Sequence, residues 1–121
     1  MTIRKFYFAL AAGTLMAGAA NAQGTLVEIP DNVQVAPFSA TADDVDDWDV
    51  YNSDGVEIGE VEEVVGSDAN TPTALVVDFD GDGGYPDRDI VIPLDQFTQQ
   101  DGRLILNADA ATVGAMPDWR D

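Results

Sequence analysis

The segment from residue 78 to residue 89 has the residue types and the spacing of a calcium-binding loop. Carboxylates alternate along it, a glycine allows a sharp turn, and a further acid stands at the twelfth position, where such loops place their last ligand. The predicted ligands are Asp78, Asp80, Asp82, Gly84 through its carbonyl, and Asp89. The sequence suggests no other cofactor, and Ca²⁺ stands as a hypothesis because hard oxygen ligands are the ones it prefers.

Other features of this segment favour a solvated acidic turn that holds no metal. Asp89 is one methylene shorter than the glutamate that usually closes such a loop. The segment follows an apolar run, Ala74–Val77, that is typical of a strand, whereas the helix–loop–helix calcium motif is entered from a helix. Aspartate is also common throughout the chain, so the spacing could arise by chance. Both interpretations stay open.

The chain lacks the side chains of most nucleophilic catalysis. It has no His and no Cys, and its lysine, Lys5, precedes a predicted cleavage site. Imidazole-activated hydroxyls, thiolates and Schiff-base lysines are therefore excluded, as are the ligands that zinc, copper and iron sites prefer. Four glutamates crowd one predicted strand: Glu57, Glu60, Glu62 and Glu63. The solvent face of a strand explains them more simply than an acid–base pair in a cleft, and we expect no enzymatic activity.

The N-terminal residues have the pattern of a cleavable export signal. Arg4 and Lys5 precede an uncharged run from Phe6 to Ala20, and residues 20–22 form a small-x-small cleavage motif. The run is shorter than the ~20 residues of a membrane-spanning helix. The sequence thus predicts a signal peptide over residues 1–22 and a periplasmic location for the rest, with secretion from the cell as the alternative.

The charge of the chain restricts its partners. There are 23 Asp and Glu against 5 Lys and Arg. Because Arg4 and Lys5 precede the predicted cleavage site, the exported part would keep 3 arginines against 23 carboxylates, a net charge of −20. Such a chain repels nucleic acid backbones and anionic lipid surfaces. We therefore expect no nucleic acid and no membrane partner, and the charge favours a basic protein partner or serves only solubility.

Short elements follow one another along the exported part. Residues 23–42 contain two prolines and scattered apolar residues, so we predict an extended, weakly anchored lead-in. Thr41 and Asp44 have the spacing of a capping box, which starts one helical turn. Residues 66–72 have the composition of a loop. The predicted strands are residues 48–52, 56–65, 74–77, 90–94 and 103–107, and a short helix covers residues 109–115.

Two glycines carry specific predictions about the backbone. Residues 52–55 read as a tight hairpin loop in which Gly55 takes a positive φ. In the next strand Val61 is out of phase with Ile58, and a β-bulge at Gly59 would restore the register and bend the strand, as small barrels require. The aromatic residues predicted to lie in the core are Trp48, Tyr51, Phe79, Phe97 and Trp119.

The order of these signals resembles the PRC-barrel domain family. In that family a short strand, an Asx-Gly turn and a strand of the form G-x-x-I-G-x-V-x-x-V lead to an apolar strand and then to one ending in D-V-x-I-P-L/F. The matching segments are Asp49–Val65, Ala74–Phe79 and Asp89–Asp95, and Met116–Trp119 resembles the family's M-P-x-W/Y/F close. The resemblance implies a mainly β fold over residues 43–121, a small, partly open β-barrel of five to six strands with a short C-terminal helix.

The resemblance also implies a class of function. Relatives form the cytoplasmic domain of the photosynthetic reaction centre H subunit and part of a ribosome maturation factor, and they dock on other proteins. The export signal and the charge argue against ribosome work. We therefore expect a non-catalytic protein-binding adaptor in the cell envelope with an unidentified, basic protein partner. The alternative is a calcium-binding protein that uses the loop from Asp78 to Asp89.

Overall fold

The computed structural model describes residues 26–120, and the predicted signal peptide lies outside this part of the chain. The strands are β1 (Val27–Glu28), β2 (Gln34–Val35), β3 (Ala40–Thr41), β4 (Asp49–Tyr51), β5 (Glu57–Asp68), β6 (Thr71–Phe79), β7 (Asp89–Pro93), β8 (Phe97–Gln100) and β9 (Arg103–Leu106). The helices are α1 (Ala42–Val45) and α2 (Ala110–Gly114), and 3-10 turns cover Asp82–Gly84 and Leu94–Gln96. No helix in the described range is long and apolar enough to cross a membrane.

The main sheet curls into a half-barrel. Its strand order is β7-β6-β5-β4-β9-β8, and β1 pairs with β5 beside this path. Neighbouring strands are antiparallel except β4 and β9, which run parallel. β2 and β3 form a separate two-stranded hairpin. The predicted fold class, a mainly β and partly open barrel with a short C-terminal helix, is confirmed.

The interior of the curled sheet holds the main core. Its largest fully buried side chains are Phe79, Ile58, Leu75, Ile90, Ile92, Leu104 and Leu106. A smaller apolar cluster consists of Val65, Ala74, Val76 and Val91, with Leu26 and Trp119 packed against it. Because successive side chains of a strand point to opposite faces, the second cluster lies on the other face of β6. The continuous apolar run of β6 predicted this burial on both faces.

The hairpin loop and the bulge predicted from two glycines are both present. Gly55 adopts a φ of 84°. In the β4–β5 ladder Val50 pairs with Gly59, whereas the next residue, Tyr51, pairs with Glu57, so β5 carries one extra residue at this point. An extra residue bends and twists the strand that carries it, which allows the sheet to curl.

β5 and β6 form a long hairpin where the sequence predicted a loop. Residues 66–68 end β5, residues 71–72 begin β6, and the turn is confined to residues 69–70. The Asp68 carboxylate accepts hydrogen bonds of 2.9 Å from the Asn70 amide and the Thr71 hydroxyl. A Cβ atom at Gly66 would overlap the Thr71 carbonyl oxygen. The predicted loop is therefore too long, because Gly66 permits close strand approach and the chain reverses only at residues 69–70.

The lead-in is anchored more firmly than the sequence indicated. In its described part Ile29 and Phe38 are buried in the main core. The Ile29 amide donates a 2.9 Å hydrogen bond to the Val64 carbonyl, and the Phe38 ring lies 6.2 Å from that of Trp48. The prediction of weak anchoring is wrong for these residues, since each large apolar side chain contributes about 1.5–3 kcal/mol when it is fully buried. The boundary drawn between lead-in and domain stays a prediction.

One edge of the main sheet is covered by the C-terminal segment. The Val91 amide of β7 donates to the Pro117 carbonyl over 2.9 Å, and the Trp119 amide donates to the Asp89 carbonyl over 3.0 Å. Arg88 forms an ion pair with Asp118 and also donates a 3.0 Å hydrogen bond to the Gly114 carbonyl. The segment after α2 therefore borders β7 as an additional, irregular strand would.

The other edge is β8, a strand that the sequence analysis missed. It has four residues, of which Phe97 alone is buried, and it pairs with β9 in antiparallel register. The sequence predicted no strand here because a single apolar residue followed by Thr and two Gln gives no strand periodicity. This strand forms because it pairs with β9, and the sequence pattern does not show which strands pair.

Candidate functional site

A groove of about 340 Å³ lies where the end of α1 meets β5 and β6. Its lining consists of five carboxylates and one apolar side chain: Asp46, Asp47, Glu60, Glu62, Asp78 and Val61. No cationic side chain is among them. We refer to this surface as the acidic groove. The sequence predicted a solvated acidic face on β5, and the structure adds the carboxylates that follow α1.

A capping box sets the position of α1 and therefore of one wall of the groove. The Asp44 amide donates to the Thr41 hydroxyl and the Thr41 amide donates to the Asp44 carboxylate, each over 3.4 Å, as the spacing of the two residues predicted. Val45 is fully buried, and the Asp46 amide donates to the Ala42 carbonyl at the end of the helix. The helix is thus fixed at both ends, and Asp46 is directed into the groove lining.

Asp46 differs electrostatically from an ordinary aspartate. Its pKa is raised from 3.8 to about 6, first by burial and then by the charges of four neighbours, namely Asp31, Asp47, Asp43 and Glu28. Burial and like charge both disfavour the ionised carboxylate. The negative charge at this end of the groove therefore declines in mildly acidic solution.

The structure brings together the two ends of the predicted calcium loop. Asp78, near the end of β6, and Asp89, at the start of β7, are cross-strand partners. Glu62 joins them, and ligand oxygens of the three carboxylates lie within 4.8 Å of one another. Among the described residues this is the group of carboxylates close enough to share one ion. Asp80 and Asp82 do not belong to it.

The middle of the predicted loop has a different environment. Asp82–Gly84 form a 3-10 turn, and Gly81 and Gly84 take positive φ angles of 89° and 83°. The pKa of Glu57 is raised chiefly by the charge of Asp49, and the charges of Asp80 and Asp82 add to this effect. The Asp80 amide also lies 3.4 Å from the carbonyl of Ile58, the residue next to Glu57 in β5. The set of five ligands stays a prediction, of which the structure brings Asp78 and Asp89 together.

Glu62 is the member of the carboxylate group that sequence reasoning did not assign to it. Between Val61 and Glu63 the β5–β6 register shifts by one residue, which leaves Glu62 as an extra residue on β5. The pKa of Asp78 is raised by burial, then by the charge of Asp89 and a hydrogen bond with it. A cation or a shared proton would relieve this repulsion. The broken alternation of β5 was the available signal for Glu62.

A second groove, of about 240 Å³, lies on the opposite half of the sheet and has no carboxylate in its lining. Tyr51, Gln100, Arg103 and Ile105 form much of it. The Arg103 guanidinium carbon lies 4.8 Å from the centroid of the Tyr51 ring. Tyr51 is half-buried but belongs to neither apolar cluster, so its prediction as a core residue is wrong: it stacks with a cation on the outer face. Phe79 and Phe97 are buried as predicted.

Comparison with models of protein families identifies the family of the chain. A family model described as the PRC-barrel domain matches residues 39–113, from the end of the β2–β3 hairpin into α2. The matched range exceeds half of the 121-residue chain and contains most of the main sheet and the acidic groove. Comparison with curated proteins gives no match.

Proposed function

This chain belongs to the PRC-barrel family, and on that premise we propose that it is a non-catalytic, periplasmic adaptor that binds a basic protein partner in its acidic groove. The observation that carries the proposal is the lining of that groove, in which five carboxylates meet without a cationic side chain. Opposite charge accelerates encounter and selects partners.

The chemistry of the groove supports a protein partner rather than a small apolar ligand. Small-molecule pockets are mostly apolar, with a few polar groups that fix orientation. Here Val61 is the only apolar side chain in the lining. A Lys- and Arg-bearing surface can satisfy five carboxylates at once, and the partner needs to be basic because the exported part would carry a net charge of −20.

The periplasmic location is part of the proposal and rests on the export pattern of residues 1–22. The non-catalytic role rests on composition, since the chain offers neither His nor Cys. Paired carboxylates could act as acid and base only if they faced each other across a bound substrate. The groove carboxylates line an open surface of the barrel, which suits electrostatic docking.

The test is capture of the partner by the exported, affinity-tagged chain. We expect a basic protein that is released by added salt, because screening weakens contacts between exposed charges. Asp47→Asn with Glu60→Gln should lower capture several-fold. The matched control, Asp54→Asn with Asp68→Asn, removes the same charge outside the groove. Equal losses in both variants would mean that capture depends on net charge and not on the groove. Capture of no basic protein would refute the proposal.

Calcium binding is the second candidate function, and the observation that favours it is the proximity of Glu62, Asp78 and Asp89. Calorimetric titration with calcium tests it, with magnesium and sodium at equal ionic strength as controls. Asp78→Asn should abolish a saturable calcium signal. Asp80→Asn with Asp82→Asn should leave it intact if the site is this group, and should abolish it if the site is the loop. Equal responses to all three cations would exclude a specific site.

A further inference from the structure

The outer edge of β8 presents backbone groups that β9 does not use. The Asn107 amide donates to the Gln96 carbonyl over 2.8 Å, so these two residues form a hydrogen-bonded pair of the β8–β9 ladder. Bonded and non-bonded pairs alternate along antiparallel strands. Thr98 and Gln100 therefore also direct their amide and carbonyl groups to β9. Gln99 directs both of its groups outward, away from the sheet.

The surroundings of this edge leave its backbone open. The Phe97 amide donates a hydrogen bond to the Leu94 carbonyl within the 3-10 turn. The Phe97 carbonyl and the amide and carbonyl of Gln99 therefore remain available at this edge. The Ser39 amide donates to the side-chain oxygen of Gln99, over 3.2 Å, and so does not occupy the backbone. Within residues 26–120 no other backbone hydrogen bond reaches this edge.

The protection that is usual for sheet edges is present at β7 and lacking at β8. The C-terminal segment borders β7, whose last residue is Pro93. β8 contains no proline, no charged residue and no bulge, which are the common means of preventing strand pairing at an edge. Its short length is the one remaining restraint, and it limits pairing to a few hydrogen bonds.

We propose that the outer edge of β8 binds an extended segment of the basic partner by strand addition. The inference rests on the proposed function and adds a second contact with the same partner, outside the acidic groove. Asp95 and Asp101, both exposed, border the uncharged strand at its two ends. The segment that fits has an uncharged, β-forming middle with Lys or Arg at either end. A second copy of this chain would bring the same two aspartates to the same edge, so the occupant is not this chain.

The outer face of the sheet indicates the side chains that would suit the added strand. Thr98 lies opposite Ile105, and Ile105 lies opposite Tyr51. These residues form a row across β8, β9 and β4, and an added strand would lengthen it by one side chain. β-branched or aromatic residues pack well in such cross-strand rows. Main-chain hydrogen bonds would then provide affinity and alternate side chains would provide specificity.

The test uses the exported chain and a synthetic peptide of sequence Arg-Thr-Val-Thr-Val-Arg. Two peptide variants carry N-methyl groups on alternate residues, one set in each phase. In strand addition the amides of one set of alternate peptide residues face β8, and the amides of the other set face solvent. We expect methylation of one set to weaken binding at least ten-fold and methylation of the other set to leave binding nearly unchanged. A peptide with Glu at both ends should also bind at least ten-fold more weakly than the parent.

The position of binding is checked by amide hydrogen exchange and by substitution at the edge. The Gln99 amide should exchange more slowly with the peptide present, and Gln99→Pro should reduce binding whereas Gln99→Ala should not. Equal effects of the two methylation phases, no saturable binding of the peptide, or an unchanged Gln99 amide would overturn strand addition. These results would leave capture by the acidic groove standing. Phase-dependent binding in a chain that captures no basic protein would overturn the proposed function instead.

Discussion

The two halves of the curled sheet differ in what covers their faces and their edges. In the first half, β5 to β7, apolar clusters lie on both faces, the C-terminal segment covers the edge, and the acidic groove lies alongside. In the second half, β4, β9 and β8, one face packs on the main core, the other carries the second groove, and the edge is open. The comparison separates the part of the sheet that is enclosed by its own chain from the part available to another.

Burial on both faces makes the first half less tolerant of substitution. Interiors are close-packed, so an added or removed group there displaces neighbours or leaves a cavity. The second half has one solvent face, where a side chain can move without disturbing others. We therefore expect matched substitutions in the two halves to differ in their effect on stability.

The largest expected difference is between two glycines. Gly66→Ala, in the first half, places a Cβ atom against the Thr71 carbonyl oxygen of the paired strand. Gly102→Ala, in the turn between β8 and β9, places it 3.9 Å from the Trp48 side chain, an ordinary contact. Overpacking of this kind costs about 3 kcal/mol. Urea unfolding should show that loss for Gly66→Ala and little change for Gly102→Ala, and similar losses would contradict the comparison.

Two aromatic residues on the outer face give the next difference. Both are half-buried, but Trp119 packs against the second apolar cluster, whereas Tyr51 lies outside both clusters, beside Arg103. We expect Trp119→Ala to lower the free energy of unfolding by about 2 kcal/mol, because it uncovers Val76 and Val91, and Tyr51→Ala to lower it by about 1 kcal/mol. Thermal melts with dye binding to exposed apolar surface would measure both. A larger loss for Tyr51→Ala would mean that the second half is the less tolerant of substitution.

Two arginines, one in each half, differ in what they contact. Arg88 holds the C-terminal segment through Asp118 and the Gly114 carbonyl, whereas Arg103 stacks on Tyr51. We expect Arg88→Ala to destabilise the fold by about 1 kcal/mol, since both partners are partly exposed and screened, and Arg103→Ala by less. The specific result is faster amide exchange at Val91 in Arg88→Ala alone. Unchanged exchange there would mean that the segment is held without Arg88.

The features that the sequence predicted correctly depend on interactions between residues close together in the chain. The capping box at Thr41, the positive φ of Gly55 and the apolar run of β6 depend on a few neighbouring residues, and the structure contains all three. β8 and the β5–β6 hairpin depend on which strands pair. The composition of Thr98–Gln100 and of residues 66–72 does not encode that pairing, so both were missed.

The same distinction applies to the candidate site. Asp78 and Asp89 were predicted ligands, and they are cross-strand partners because the β6–β7 hairpin brings its two ends together. Glu62 comes from β5 and enters the group through a bulge, which spacing along one segment cannot indicate. Asp46 was predicted only as part of the general acidity, since its burial depends on how α1 packs beside β5.

The smallest expected effect concerns pH and again belongs to the first half. The pKa of Asp46 is raised to about 6 in the folded chain, by burial first and by negative neighbours second. The folded state thus binds this proton more tightly than the unfolded state, and stability should rise as the pH falls from 7 to 5. Asp46→Asn removes the buried charge. We expect it to raise the free energy of unfolding at pH 7 by about 1 kcal/mol, once screening at a partly exposed site is allowed for.

Thermal melts of the wild type and of Asp46→Asn at pH 7 and pH 5, at constant ionic strength, measure this effect. The wild type should gain more from acidification than the variant, by about 5 °C. The variant should keep part of the gain, because burial raises the pKa of Asp78 as well. Asp95→Asn, which removes an exposed charge beside β8, is the matched control and should respond to pH as the wild type does. If Asp46→Asn and Asp95→Asn respond alike, the pH dependence reflects net charge alone, and the acidic groove does not distinguish the first half from the second in this respect.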